Sequence, residues 1–216
     1  EWMMKRDGES FPHLVDSGFG TQIDKIRKQI NLAVEVDLPV LVFYRSNRRW
    51  QGTGVSAESA AKHRVSRFDG YLNWFDAVAD LSEFESWLIG KTLERMQNLL
   101  DTKSTSTEFD DELAWVNGAI ECAIPKAQNL RYDLRLQSLL IDIDEHKTIP
   151  FNELSDGQRG MVALFADIAR RMCILNPHMG KDVLKKTPGV VIIDELDIHL
   201  HPAWQRSIVP ALKKAF

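Results

Sequence analysis

Residues 187–205, TPGVVIIDELDIHLHPAWQ, constrain this chain more than any other stretch. Pro188 and Gly189 break the preceding pattern. The unbroken apolar run Val190, Val191, Ile192, Ile193 follows, closed by Asp194 and Glu195. Four β-branched residues behind a turn signal predict a strand buried on both faces, the kind found in parallel sheets. Two carboxylates at the carboxyl end of such a strand sit where α/β sheets bind ligands.

An apolar strand followed by Asp and Glu has the form of a Walker B strand. The first acid, Asp194, is placed to support Mg²⁺ through its hydration water, because that hard cation keeps part of its shell. The second, Glu195, is placed to orient or deprotonate the water that attacks a γ-phosphate. A buried strand whose last two acids are solvated, or cap the next turn, has the same residues. The segment upstream decides between the two.

That segment, residues 151–177, reads FNELSDGQRGMVALFADIARRMCILNP. Ser155 followed three residues later by Gln158 is a capping box, so a helix starts here with Ser155 as its N-cap. Its first turn presents free backbone N–H groups and the positive end of a dipole, which suits a phosphate. Gly157 leaves room for close approach. Leu164, Phe165, Ile168, Met172 and Leu175 recur at helical spacing, so the helix body belongs to a core. Leu154-Ser155-Asp156-Gly157-Gln158 looks like the ABC-type signature LSGGQ, with Asp156 in place of the first Gly. Asp156 brings a negative charge that weakens a phosphate contact unless it points away.

Together, residues 151–177 and GVVIIDELDIHLHPAWQRSIVPALKKAF resemble the prokaryotic AAA-type ATPases with ABC/SMC-like heads, and among them the ATPases of the Septu and retron anti-phage systems. The form IDELDIHLHP followed by Trp204 carries the resemblance; transporter ATPases have DEPTSALD there. The match is close over 151–216 and loose over 23–50. It implies an α/β fold: a P-loop ATPase head, a mixed sheet flanked by helices, with a helical insertion. Residues 1–67 and 129–216 would form the ATPase core and 68–128 the insertion. It implies ATP and Mg²⁺ as ligands and Glu195 as the catalytic carboxylate. Asp194 would support the metal, and Ser155, Gly157 and Gln158 would contact the γ-phosphate across a homodimer. His201 falls at the loop that crosses the dimer interface, close to phosphate. The partners implied are a second copy and an HNH-type nuclease, with a reverse transcriptase and its RNA–DNA product in retrons.

With 216 residues the chain is long enough for one substantial core. No apolar run approaches the ~18 residues of a membrane span, and no signal-peptide pattern opens the sequence. Two cysteines, Cys122 and Cys173, lack metal or redox spacing and are expected reduced and buried, as in a cytoplasm. A net charge of −4 argues against DNA binding by the whole surface, though not by a local basic patch.

In chain order, residues 1–20 read as loop. Ile23, Ile26, Ile30 and Ala33 mark a helix face. Residues 39–44, PVLVFY, predict a second buried strand. Arg45, Arg48 and Arg49 follow it, and either contact phosphate or DNA or form a solvated basic loop. Residues 51–67 read as a polar link. Residues 68–100 keep a helical pattern through Phe68, Leu72, Phe75, Val78, Leu81, Phe84, Leu88 and Leu93. Residues 101–111 read as loop and 112–124 as helix. Strand signals return at 129–153, with a turn at 144–147 and a return strand at 148–151. A last helix starts at Pro202, favourable at the first helical position, and contains Pro210, which should kink it.

A P-loop reads G-x-x-x-x-G-K-[ST] after a strand. Gly90-Lys91-Thr92 lacks the leading Gly and lies in a helical pattern, so it is not one. The resemblance places the P-loop upstream of the region matching 23–50 and a switch His beyond 216; on that reading this stretch alone holds ATP weakly. His199 and His201 lack further metal ligands. Two other readings stand beside the defence ATPase. One is an SMC-type DNA-repair ATPase, for which 68–124 is too short and broken an arm. The other is a scaffold that dimerises on ATP without hydrolysing it.

Overall fold

The computed structural model describes residues 25, 28–29, 35–46, 55, 58, 60, 65–75, 77, 82–102, 109–144, 147–198 and 200–216. Several expectations lie outside these residues: the loop at 1–20, the apolar positions of the first helix, Arg48 and Arg49, most of the link 51–67, Val78, Leu81, the loop 103–108, Glu145, His146 and His199. The chain separates into two compact units, Glu1–Asp37 and Leu38–Phe216. In the first, Lys25, Lys28 and Gln29 are helical. The architecture below is that of the second.

Strand β1 (Val40–Tyr44) pairs in parallel with β5 (Gly189–Ile193), Val40 opposite Gly189 and Tyr44 opposite Ile193. Strands β2 (Ala127–Asp133), β3 (Ser138–Ile143) and β4 (Lys147–Pro150) form an antiparallel sheet in that order. The single mixed sheet expected from the sequence is therefore two sheets among the described residues. Helices α1 (Ser82–Thr102), α2 (Glu112–Ala123), α3 (Asp156–Leu175), α4 (Val183–Lys186) and α5 (Pro202–Ala215) complete the α/β fold. No described helix is long and apolar enough to cross a membrane.

Helix α3 is the centre of the core. Every residue from Met161 to Leu175 is buried, so this helix is surrounded rather than laid on a surface. Phe165 is fully buried and stacks near Phe216 at the end of α5, ring centroids 5.7 Å apart. Burying a side chain of that size contributes about 1.5–3 kcal/mol. Asp111 caps α2, its carboxylate accepting the Ala114 N–H at 3.0 Å, and Arg95 of α1 donates to it at 2.6 Å. Asn117 of α2 accepts the Leu130 N–H at 2.6 Å and so ties the helix to β2.

Two expectations are corrected. The helix expected over 68–100 begins only at Ser82; residues 67–71 are a 3-10 turn, and Phe68, Leu72 and Phe75 are exposed. Asn73, at φ 52°, interrupts any helix there. The strand 190–193 is not buried on both faces: Val190 and Ile192 are 55% and 56% exposed. Among the described residues β5 pairs with β1 alone, so its far edge carries no strand. Cys173 is buried as expected, Cys122 only half-buried; both are free thiols.

Candidate functional site

The orientation of α3 follows from two polar contacts, one near its middle and one at its carboxyl end. Tyr44 Oη, at the carboxyl end of β1, donates to Asp167 Oδ2 at 2.7 Å. Asn176, which caps the carboxyl end of α3, brackets Leu38 at the start of β1. Helix α3 therefore runs antiparallel to β1 and β5. Its N-terminus points beyond the carboxyl edge of the strands, the edge that carries Asp194 and Glu195.

The capping box foreseen at Ser155 is formed. Ser155 Oγ accepts the Gln158 N–H at 3.3 Å, and Gln158 Oε1 accepts the Ser155 N–H at 3.1 Å. Asp156 forms an ion pair with Arg159, and its charge is directed into that exposed pair. Arg159 also donates to the Asn152 carbonyl at 3.2 Å, which fixes the approach to the helix. Ser155, Asp156, Gly157 and Gln158 line an open depression of about 610 Å³ whose other wall is His201 and Trp204. His201 caps α5: its Nδ1 accepts the Ala203 N–H at 3.3 Å, which leaves the proton of a neutral ring on Nε2. Trp204 as a wall of this depression was not singled out from the sequence; only the packing of α5 beside the tip of α3 reveals it.

Asp194 and Glu195 are exposed and do not line the depression. The Asp194 N–H is held by the Tyr44 carbonyl at 2.8 Å, extending the β1–β5 ladder by one rung. Glu195 follows with φ at 46°, left-handed for a residue with a side chain, and its carbonyl accepts the Ile198 N–H at 3.0 Å. Such backbone costs about 1–3 kcal/mol and concentrates at functional sites. Asp194 is bonded to the backbone of Tyr44, whose side chain meets Asp167; Ser155 lies about 18 Å from Asp167 along the helix axis at ~1.5 Å per residue. The structure joins Ser155, Gly157, Gln158 and His201 in one place and sets Asp194 and Glu195 in another on the same edge.

Arg45 stacks over Phe75, its guanidinium carbon 5.2 Å from the ring centroid. Lys91 of the P-loop-like triplet lies inside α1 and pairs with Glu112 at 2.8 Å and Glu94 at 2.9 Å. The triplet is helix surface, as its spacing indicated. For Mg²⁺ the donor set at the acidic turn is suitable, being carboxylate oxygen exposed at a strand end. Among the described residues no three His, Cys, Asp or Glu side chains converge as a protein-only cage. Mg²⁺ that binds one or two carboxylates together with phosphate oxygens and water needs no such cage.

This arrangement, a phosphate-suited helix tip and an acidic turn on one edge of parallel strands, coincides with a family match. The family described as "AAA domain, putative AbiEii toxin, Type IV TA system" matches residues 43–215. The chain belongs to this AAA-domain family. The AAA domain is 40% identical over 101 residues to the Retron Ec83 probable ATPase of Escherichia coli, covering 47% of this chain and 18% of that protein. It is 26% identical over 175 residues to the Retron Vc95 probable ATPase of Vibrio cholerae serotype O1 biovar El Tor, covering 70% and 34%. It is 44% identical over 64 residues to the Septu protein PtuA of Bacillus mycoides (strain KBAB4), covering 30% and 8%. The AAA domain therefore spans about a third or less of the length of these relatives.

Proposed function

We propose that this chain is the signature-and-Walker-B part of an ATPase of an anti-phage defence system, which dimerises around ATP and controls a nuclease partner. The names of the retron and Septu relatives support the class. The observation that carries the mechanism is that Asp194 and Glu195 do not line the depression at Ser155; Ser155 lies about 18 Å along α3 from Asp167, the residue tied to the strand that holds Asp194. One γ-phosphate does not reach both from within one copy. Two copies related by a two-fold axis place the tip of each against the acids of the other.

In that assembly Asp194 would hold Mg²⁺ through its hydration water, and the ion would supply neutralisation of the phosphate charge. Glu195 orients the attacking water and takes its proton. Ser155 Oγ and the N–H groups of the first turn of α3, with Gly157 allowing close approach, bind the γ-phosphate held by the partner copy. His201 donates from Nε2 at the same seam. The P-loop that holds the phosphates from the other side is not within this sequence, and we place it elsewhere in the whole protein. The nuclease would be of HNH type, with a reverse transcriptase and its RNA–DNA product present in a retron setting.

The test compares ATP turnover and dimerisation of the complete protein and its Glu195→Gln variant. Loss of turnover by about 10²- to 10⁴-fold with dimerisation retained is expected. Equal, near-zero turnover in both would instead identify a non-hydrolysing scaffold.

A further inference from the structure

Resting on that reading, we infer that Tyr44, Asp167 and Arg171 form a positioning device that sets the acidic turn of Asp194 and Glu195 against the helix tip at Ser155. Tyr44 acts at two points. Its backbone carbonyl accepts the Asp194 N–H at 2.8 Å, and its hydroxyl donates to Asp167 Oδ2 at 2.7 Å. Asp167 in turn accepts from Arg171 Nε at 2.8 Å and from Arg170 Nη2 at 2.8 Å. Arg171 Nη1 donates to the Gly70 and Leu72 carbonyls at 2.9 and 2.8 Å. The segment it holds is bonded to the same strand, since the Phe43 N–H donates to the Trp74 carbonyl at 2.7 Å.

Every side chain in this network is buried: Tyr44 is 0% exposed, and Asp167, Arg170 and Arg171 are 3–4%. Stability alone does not call for it. Buried ion sets are matched or exceeded in stability by well-packed apolar residues of the same volume, and phenylalanine would fill the space of Tyr44. What the network adds is a fixed geometry. From Ser155 the path runs down the rigid helix to Asp167, across the Tyr44 hydroxyl, and through the Tyr44 carbonyl to the Asp194 N–H. No flexible loop intervenes. A displacement of the helix on meeting a phosphate at its tip is thus delivered to the turn that carries Glu195. Tyr44, Asp167 and Arg171 touch no substrate on this account; they are positioning residues.

The experiment measures kcat and KM for ATP with the complete protein carrying Tyr44→Phe, beside wild type and Glu195→Gln, with melting temperatures for each. Tyr44→Phe leaves Asp167 paired with two arginines, so melting within a few degrees of wild type is expected. KM should stay within about twofold while kcat falls about tenfold, the split of an interaction used after binding. Should Tyr44→Phe fail to fold, Arg171→Lys keeps the charge beside Asp167 and gives up the grip on the Gly70 and Leu72 carbonyls; the same split is expected. Turnover per folded molecule equal to wild type, with turnover sensitive to Glu195→Gln, overturns the positioning role alone. Turnover insensitive to Glu195→Gln overturns the proposed function on which it rests.

Discussion

Asn176 treats Leu38 as a neighbouring strand would. Its carboxamide oxygen accepts the Leu38 N–H at 2.8 Å and its amide nitrogen donates to the Leu38 carbonyl at 2.9 Å. The same amide donates to Thr187 Oγ1 at 3.1 Å, just ahead of β5. One side chain at the end of α3 therefore fixes where both parallel strands begin. Asn176→Ala would leave both Leu38 groups buried without a partner, at about 1–3 kcal/mol each. A urea midpoint shifted down by the equivalent of about 2–6 kcal/mol is expected.

Gly189 permits the close approach of β1 and β5. A Cβ built there would lie 2.1 Å from the Val40 carbonyl oxygen, and backbone cannot yield as a side-chain tip does. Gly189→Ala should cost about 2–4 kcal/mol and slow ATP turnover, since it parts the strands that carry Tyr44 and Asp194. Thermal unfolding and turnover on the same sample check both.

Ser155 has two duties that one substitution separates by size. Losing an N-cap costs about 0.5–2 kcal/mol of stability. Ser155→Ala should show that modest loss in unfolding and a larger loss, about 10²-fold, in turnover if the same oxygen meets the γ-phosphate. Turnover falling no more than the folded fraction would assign Ser155 to the helix alone.

Asp167 predicts a pH dependence. Burial by itself would raise its carboxyl, but Arg171 and Arg170 reverse that and hold it well below the usual carboxylate range. A depressed folded value stabilises above the unfolded value, about 3.9, and that stability is lost as pH falls from there towards the folded value. Unfolding free energy should therefore decline below about pH 4, and Asp167→Asn should flatten this decline. That variant strands two buried cations and should lose about 3–5 kcal/mol at neutral pH.

Local signals were legible in the sequence; burial was legible only in part, along Leu164, Phe165, Ile168, Met172 and Leu175 of α3. The capping box needs only Ser155 and Gln158, three residues apart, and it forms as spaced. The strand at Val40–Tyr44, the helices Glu112–Ala123 and Pro202–Ala215, and the return strand at Lys147–Pro150 stood out for the same reason. Strand β2 fell within the 129–153 strand signals only from Asn129 on; its register shifts between Gln128 and Arg131, and Asn129 sits at φ 55°, which breaks the alternation a strand shows. Phe68, Leu72 and Phe75 imitate a helix face by spacing, although that chain turns. Asp167, Arg170 and Arg171 were not singled out from the sequence, and only the packing of the Arg67–Tyr71 turn over them shows a network. Val190 and Ile192 read as core because their own sequence cannot tell which neighbours cover them.

In the proposed dimer the acids of one copy serve the helix tip of the other, and mixing two inactive variants reads out that exchange. Complete protein carrying Glu195→Gln and complete protein carrying Ser155→Arg should each be inactive alone. Mixed dimers hold one site with both defects and one with neither. An equal mixture allowed to exchange subunits should regain about a quarter of wild-type turnover, half of the dimers having one working site of two. A mixture that forms mixed dimers yet stays as inactive as its parents would rule out a site shared between two copies.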